Sequence, residues 1–268
     1  MKEKVRIAIP KGRVIEDSLD LLRKSGFIKH PDEDYNSRKL IFNYEDDNAK
    51  LLIVKPWDVP TFVEYGAADI GIAGKDILLE KFKNVYEPLD LGIGRCKIAV
   101  AVHKSIDVNI KNFNINKETA HIGYAGDDDD YADEFLKKSQ RDEKNKRTEI
   151  EINQNTAENI ENIKNALYLL NNIRVATKYV NITKDFFKKK GISVQIVKLY
   201  GNIELAPLTG LCDVIVDLVS TGETLRQNNL LLIEEIAVIT SRLIVNRASL
   251  KTNPKEIHNV IMRISQNI

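Results

Sequence analysis

The segment running from Asp213 to Leu225, DVIVDLVSTGETL, gathers residue types that can hold a phosphate. An apolar run ends in Ser220-Thr221-Gly222, Thr224 follows two positions later, and a helical pattern comes next. Backbone amides at such a turn point outward together, and the start of the following helix adds partial positive charge, so a phosphate monoester is a natural guest. Ser220, Thr221 and Thr224 add hydroxyl donors, and Gly222 lets the backbone approach closely. The same five residues could instead only turn the chain and cap the next helix, as Ser/Thr/Gly clusters routinely do. Asp217 on the preceding run favours the first reading, because a carboxylate beside the cradle can accept ribose hydroxyls or a Mg²⁺-bound water. Phosphate donors next to a carboxylate suit a phosphorylated sugar.

A loop of this kind has to be held at the end of a strand. Apolar runs recur at 5–10 (VRIAIP), 50–55 (KLLIVK), 68–74 (ADIGIAG), 96–102 (CKIAVAV), 173–179 (IRVATKY), 194–199 (VQIVKL) and 212–219 (CDVIVDLV). Their continuity, without strict alternation, predicts strands covered on both faces. Amphipathic helical patterns lie between them, over 14–27 with a stop at Gly26 and over 182–191 with a stop at Gly191. Repeated βα units of this sort predict an α/β fold.

With 268 residues and 43% apolar content, the chain can bury one large core or two smaller ones. Lys and Arg number 40 against 39 Asp and Glu, and a net charge of +1 gives no general attraction to nucleic acid or to an anionic membrane. An anionic ligand therefore needs a local site. The opening MKEKVRIAIPKGR holds too few apolar positions for a signal-peptide core, and no apolar stretch reaches transmembrane length. Cys96 and Cys212, the only cysteines, are too few for a zinc motif or a disulfide framework, so the expected setting is a reducing cytoplasm. Each begins an apolar run, which points to core packing. The four histidines, at 30, 103, 121 and 258, have no metal-ligand spacing.

Residues 107–171 break the βα rhythm, with 11 Asn, the run Asp127 to Asp130 and a net charge of −5. They read as a peripheral insertion. ENIENIKNALYLLNN (158–172) has apolar residues at helical spacing, QRDEKNKRTE (140–149) reads as solvated, and contiguous Asp residues lack the alternate-position ligands of a Ca²⁺ loop.

Glu204-Leu-Ala-Pro-Leu-Thr-Gly210, followed by Asp217-Leu-Val-Ser-Thr-Gly-Glu-Thr-Leu225, resembles the signature of the ATP phosphoribosyltransferases. IPKGR (9–13), SRKLIF (37–42), KPWDVPTFVEYGAADIGIAGKDIL (55–78), LGIGRCKIAVAV (91–102) and RVATKYVNITKDFF (174–187) are similar to that family in the same chain order. The resemblance covers about 1–103 and 172–250.

That resemblance implies two α/β lobes similar to type II periplasmic binding proteins, with the active site in the cleft between them. The first lobe would be 1–100 plus 236–268, and the second 101–235, carrying the phosphate loop and the insertion at about 107–171. It implies attack by N1 of ATP on C1 of phosphoribosyl pyrophosphate with release of pyrophosphate, the first step of histidine biosynthesis. No covalent nucleophile is required, and Mg²⁺ would arrive with the substrate rather than in a protein metal site.

By motif position, Ser220, Thr221, Gly222, Glu223 (through its backbone) and Thr224 would hold the 5-phosphate, with Asp217 and Glu204 near the ribose. Arg38 and Lys55 would face the leaving pyrophosphate as the catalytic cations. Lys55 stands where the family commonly has Arg, which keeps the charge and loses the two-pronged geometry. Lys11, Gly12 and Arg13, after the first strand, and Arg95 would contact ATP. Among Asp58, Glu64, Asp69 and Asp76, any one could relay a proton from the adenine amino group, and helix capping or ion pairing is as open for each.

Only 18 residues follow Leu250, so the chain resembles the short-form catalytic subunit, expected to work in a hetero-oligomer with a regulatory subunit similar to histidyl-tRNA synthetase. The alternatives are a non-catalytic two-lobed ligand-binding module, an inactive paralogue, and a phosphoribosyltransferase for another acceptor. The last usually carries paired acidic residues before Thr-Gly, where this chain has Leu218-Val219.

Overall fold

The computed structural model describes residues 4–28, 35, 37–44, 49–104, 157–169 and 172–268. Among these, eleven strands build two sheets. The first has the order β2 (Ile41–Tyr44), β3 (Ala49–Val54), β1 (Val5–Pro10), β4 (Ile70–Gly74), β11 (Ser241–Val245), β5 (Tyr86–Asp90). Its β3, β1 and β4 are parallel, and β2, β11 and β5 pair antiparallel with their neighbours. The second has the order β10 (Leu230–Ile239), β6 (Cys96–His103), β9 (Val214–Val219), β7 (Ile173–Thr177), β8 (Val194–Lys198). There β8, β7 and β9 are parallel, while β6 and β10 run antiparallel. The expected α/β class with two layered sheets is what the chain adopts.

Helices α1 (Ile15–Lys24), α2 (Val59–Glu64) and α3 (Lys75–Lys81) connect the first sheet. Helices α5 (Val180–Lys189), α6 (Leu205–Leu208) and α7 (Glu223–Gln227) belong to the second, and α8 (Arg247–Thr252) and α9 (Pro254–Ser265) close the chain. Strands β1, β3 and β4 bury Ile7, Ile9, Leu51, Ile70 and Ile72 with Leu19 and Leu22 of α1 and Ile257 and Ile264 of α9. Ala8, Val54 and Ala73 are buried on the other face against Val59 and Val63 of α2, and burial on both faces explains why those runs are apolar without alternation. Gly26 stops α1 as expected: its φ is +70°, and the Phe27 amide donates to Leu22 O at 2.8 Å.

Both sheets belong to one compact unit, residues 1–103 and 172–268, and residues 104–171 make a second. Within that second unit the structure describes helix α4 (Ala157–Tyr168), so the helical reading of 158–172 holds over 158–168. The Asp127–Asp130 run and residues 140–149 lie outside the described residues.

Two short segments carry the chain between the sheets: residues 91–95 join β5 to β6, and Thr240 alone joins β10 to β11. The first is bonded to the residue that follows the second, the Leu91 amide donating to Ser241 O and the Ser241 amide to Ile93 O, each at 3.0 Å.

Asp69 ties the first sheet to the chain's C-terminal segment. It accepts from the Arg6 amide (2.9 Å), from Arg6 Nε and Nη2 (3.0 and 2.8 Å) and from Ser249 Oγ (2.6 Å), and its own carbonyl accepts from the Asn246 amide. Burial pushes its carboxyl up, but the bonds from Arg6 and Ser249 outweigh burial and hold it below the usual range. A carboxyl depressed on folding stabilises above its unfolded pKa, and that stability is lost as pH falls through the folded value. Asp69→Asn should therefore cost about 2–3 kcal/mol at pH 7, and in urea melts the gap to wild type should narrow as the pH drops below 4. A gap independent of pH would contradict the ionic account.

Candidate active site

Three neighbouring strands carry cations at one edge of the first sheet, Lys11 and Lys55 after the parallel β1 and β3, and Arg38 before the antiparallel β2. Strand β1 pairs with β3 in the register Pro10↔Val54, so Lys11 and Lys55 follow at the same level, and the Lys11 amide donates to Val54 O at 2.8 Å. The ladder of β2 on β3 pairs Ile41 with Leu52, and the Ile53 amide donates to Leu40 O. Continuing that register sets Arg38 opposite Lys55. Adjacent strands lie about 4.8 Å apart, so Lys11, Lys55 and Arg38 share one sheet edge. All three are exposed, and among the described residues none is held in an ion pair. Gly12 turns the chain after Lys11 with φ +105°, and Arg13 Nη2 lies 3.4 Å from Gly94 O and 3.5 Å from Cys96 Sγ. This brings Arg13 to the segment that carries Arg95, itself exposed.

On the second sheet, β9 ends in the expected loop. Gly222 has φ +79° and immediately precedes α7. Nothing lies within 4 Å of where its Cβ would be, so conformation alone requires glycine there. Ser220, Thr221, Glu223 and Thr224 are exposed, and the Glu223 amide is only 3.4 Å from Thr221 Oγ1, a weak local bond. The Glu223 carboxylate turns away to Arg226 (2.9 and 2.6 Å) and Gln227 (2.8 Å), leaving its backbone for a ligand. Helix α7 has five residues, so the cradle's polarity comes from loop amides and hydroxyls more than from a helix dipole.

Asp217 sits three residues before the cradle, paired across the ladder with Ala99 of β6. Its Oδ1 is buried and has no hydrogen-bond partner, and the nearest cation, Lys178 Nζ, is 3.9 Å away. Burial pushes its carboxyl up; Lys178 and the Leu218 amide pull it down, and Glu204 and Asp76 push it up again, leaving it above the ordinary aspartate value. A buried acceptor without a donor is costly, and a sugar hydroxyl would satisfy it. Glu204, at the start of α6, is close enough to act on Asp217 electrostatically.

The two sheets meet through three residues that motif positions alone left out. Tyr179, fully buried, donates from its hydroxyl to Asp76 Oδ2 at 2.8 Å, and its ring lies 5.7 Å from that of Trp57. Burial, then Asp76, pushes the phenol well above its ordinary value, so it stays a donor. Lys178 Nζ stands 4.9 Å from the Tyr179 ring and 6.0 Å from that of Trp57. Trp57 is two residues beyond Lys55, so this cluster spans from the cationic edge to Asp217. Residues 178 and 179 end an apolar run and break no periodicity, which is why spacing did not mark them.

Of the four acids left open by sequence, the structure separates one. Asp69 is bound to Arg6, Glu64 to Lys83 Nζ (2.6 Å) and the Asn84 amide (3.0 Å), and Asp58 precedes α2 without a side-chain cap bond. Asp76 alone reaches the second sheet. Cys96 and Cys212 are both buried, and burial pushes the Cys212 thiol up to about 11, as core packing requires. Among the described residues no group of three His, Cys, Asp or Glu is placed to hold a metal, and no helix is long and apolar enough to cross a membrane.

Parallel strands of two sheets that end in exposed cations on one side, and in a hydroxyl-rich loop with a buried acid on the other, define an α/β protein built to handle a phosphorylated sugar. Comparison with known proteins narrows this. The ATP phosphoribosyltransferase family model matches residues 55–123 and 112–266. The ATP phosphoribosyltransferase of Geobacter metallireducens is 44% identical over the whole of both chains. ATP phosphoribosyltransferase 2 of Geobacter sulfurreducens is 43% identical, again over the whole of both. A chain of the ATP phosphoribosyl transferase (HisG:HisZ) complex from Thermotoga maritima superposes with a TM-score of 0.64 at 26% identity, covering 98% of this chain and 97% of that one. The chain belongs to the ATP phosphoribosyltransferase family.

The cradle's geometry gives a direct expectation. Gly222→Ala forces a Cβ into left-handed backbone at a cost of about 1–2 kcal/mol, so the loop should shift and the KM for phosphoribosyl pyrophosphate should rise at least tenfold while that for ATP changes little. Equal loss for both substrates would argue against a phosphate role for this loop.

Proposed function

We propose that this chain transfers the 5-phosphoribosyl group of phosphoribosyl pyrophosphate to N1 of ATP, releasing pyrophosphate, the entry reaction of histidine biosynthesis. The observation that carries the reading is the buried, partnerless Oδ1 of Asp217 before a hydroxyl-rich loop, with Lys178 between it and Trp57, two residues beyond Lys55; the donor substrate has a phosphate at one end of the ribose and a pyrophosphate at the other. In this reading Ser220, Thr221, Gly222, Glu223 and Thr224 hold the 5-phosphate through amides and hydroxyls. Asp217 and Glu204 take the ribose hydroxyls, and the substrates meet in a cleft between the two sheets.

Cleavage at C1 leaves positive charge on the ribose and adds negative charge to the departing pyrophosphate. Asp217, a carboxylate facing the ribose, favours the first. Arg38 and Lys55 favour the second, and because the charge they neutralise grows as the bond breaks, their contribution is larger in the transition state than in the ground state. Lys11, Gly12, Arg13 and Arg95 are assigned to ATP, where the carboxyl end of β1 and the turn at Gly94 bring cations together. Mg²⁺ enters as part of the phosphoribosyl pyrophosphate substrate, where it supplies further charge neutralisation. The partnerless Oδ1 of Asp217 and the neighbouring Glu204 suit a ribose carried in with its metal.

A hetero-oligomer with a regulatory subunit similar to histidyl-tRNA synthetase, in a cytoplasmic setting, belongs to the same reading. Its support is the likeness to a chain from a HisG:HisZ complex. The lobes would divide at the two linking segments, residues 91–95 and Thr240, because the expected bounds at 100 and 236 fall inside β6 and β10.

The reading is tested by mixing purified chain with ATP, phosphoribosyl pyrophosphate and Mg²⁺, with pyrophosphatase present, and following N1-phosphoribosyl-ATP by absorbance, with and without a candidate regulatory subunit. Product in either case is expected; none in both, from folded chain, would favour a binding module or an inactive paralogue. Lys55→Met should lower kcat about 10²-fold or more, the scale seen on removing one donor to a developing anion. Lys55→Arg should retain most of kcat, and an unchanged kcat in the Met variant would remove Lys55 from the catalytic step.

A further inference from the structure

Lys178 lies in the family-like block 174–187 and was given no role there, yet it stands where the site's parts meet. Strands β7 and β9 are parallel neighbours with Thr177 paired to Val216, so Lys178, just past the end of β7, lies level with Asp217, three residues before the cradle. The side chains of Lys178 and Asp217 are 26% and 29% exposed, half-shielded rather than free in water. Their 3.9 Å separation is an ion pair without a hydrogen bond, which leaves Oδ1 open. Lys178 is kept there from two further sides, by the rings of Tyr179 at 4.9 Å and Trp57 at 6.0 Å. The aromatic faces attract the ammonium and limit its swing. Tyr179 is itself fixed by its bond to Asp76.

The other charged groups acting on Asp217 are Glu204 and Asp76, both acidic. Lys178 is thus the one cation set against burial and two carboxylates at this position among the described residues. Without it, Asp217 would take up a proton more easily, and a protonated Asp217 neither accepts two ribose hydroxyls nor opposes positive charge on the ribose.

We propose that Lys178 is a positioning residue for the transfer reaction: it keeps Asp217 ionised and aimed at the ribose of phosphoribosyl pyrophosphate. The proposal rests on the reading of Asp217 as a ribose-binding carboxylate. It is distinct from charge neutralisation at the pyrophosphate, because Lys178 acts through Asp217 and at a strand end of the opposite sheet from Lys55.

The test is the pH profile of kcat/KM for phosphoribosyl pyrophosphate in wild type, Lys178→Met, Lys178→Arg and Asp217→Asn. In wild type the acid limb reports protonation of Asp217. In Lys178→Met that limb should move to higher pH by about one unit, the lower end of what one nearby opposite charge contributes, and the KM for phosphoribosyl pyrophosphate should rise more than that for ATP. Lys178→Arg keeps the charge and should return the limb close to wild type, which separates the electrostatic role from a packing role of the side chain. Asp217→Asn should lose the limb and remain impaired at every pH. If Asp217→Asn binds phosphoribosyl pyrophosphate as wild type does, the ribose reading of Asp217 is wrong and this proposal falls with it. If Asp217→Asn is impaired but the acid limb of Lys178→Met stays where wild type has it, the ribose reading stands and the role given to Lys178 is overturned.

Discussion

For the strand ends of the two sheets to act together the sheets have to be held against one another, and among the described residues the most heavily bonded contact between them is a carboxylate on a helix N-terminus. Glu80 of α3, in the first sheet's layer, accepts from the amides of Asn181 and Ile182 at the start of α5 (2.9–3.1 Å), and its carbonyl accepts from Asn181 Nδ2. Glu80 is 8% exposed, so these are shielded, charge-assisted bonds. An anion there also opposes the partial positive charge of the helix end. Covalently the sheets share only residues 91–95 and Thr240. The Glu80 contact, with Tyr179 on Asp76 beside it, fixes what those two links alone would leave free to rotate. Because Lys178 and Tyr179 immediately precede α5, the same cap sets the position of both relative to Trp57.

The division of charge between the sheets follows from the same arrangement. Cations stand exposed at the ends of β1, β2 and β3, where water solvates them until an anionic ligand arrives. The acid stands half-buried within β9, three residues before the loop, where an unmet acceptor favours a ligand hydroxyl. In the proposed reading, neutral donors hold the terminal phosphate monoester at 220–224, and full positive charge is kept for the end of the substrate where charge develops. That reading lets a polypeptide of net charge +1 bind two highly anionic substrates without attracting polyanions generally.

Much of this was legible in the residues. The apolar runs at 5–10, 68–74, 96–102 and 212–219 became strands because burial on both faces demands uninterrupted apolar sequence, and Gly26 and Gly222 marked positive φ where glycine is needed. Strands β2, β5, β10 and β11 were not anticipated. β2 and β5 are four and five residues long and largely polar at their outer faces, and β10 is an edge strand whose register shifts at Leu232/Glu234 and Glu235/Ala237 scramble its alternation. The turn at Ser220 to Gly222 was readable because backbone conformation constrains residue type. Lys178, Tyr179, Trp57 and the singling out of Asp76 were not, because their roles arise only when two sheets from distant parts of the chain are brought together. Asp69 and Glu64, equal candidates in the sequence, are used up by Arg6 and Lys83.

The most direct measurement is a crystal structure of the chain with phosphoribosyl pyrophosphate and Mg²⁺ bound. The account requires the 5-phosphate on the amides and hydroxyls of residues 220–224, ribose hydroxyls on Asp217, and the pyrophosphate directed toward Arg38 and Lys55. A 5-phosphate seated instead on Lys11 to Arg13, with Asp217 making no contact to the sugar, would contradict it.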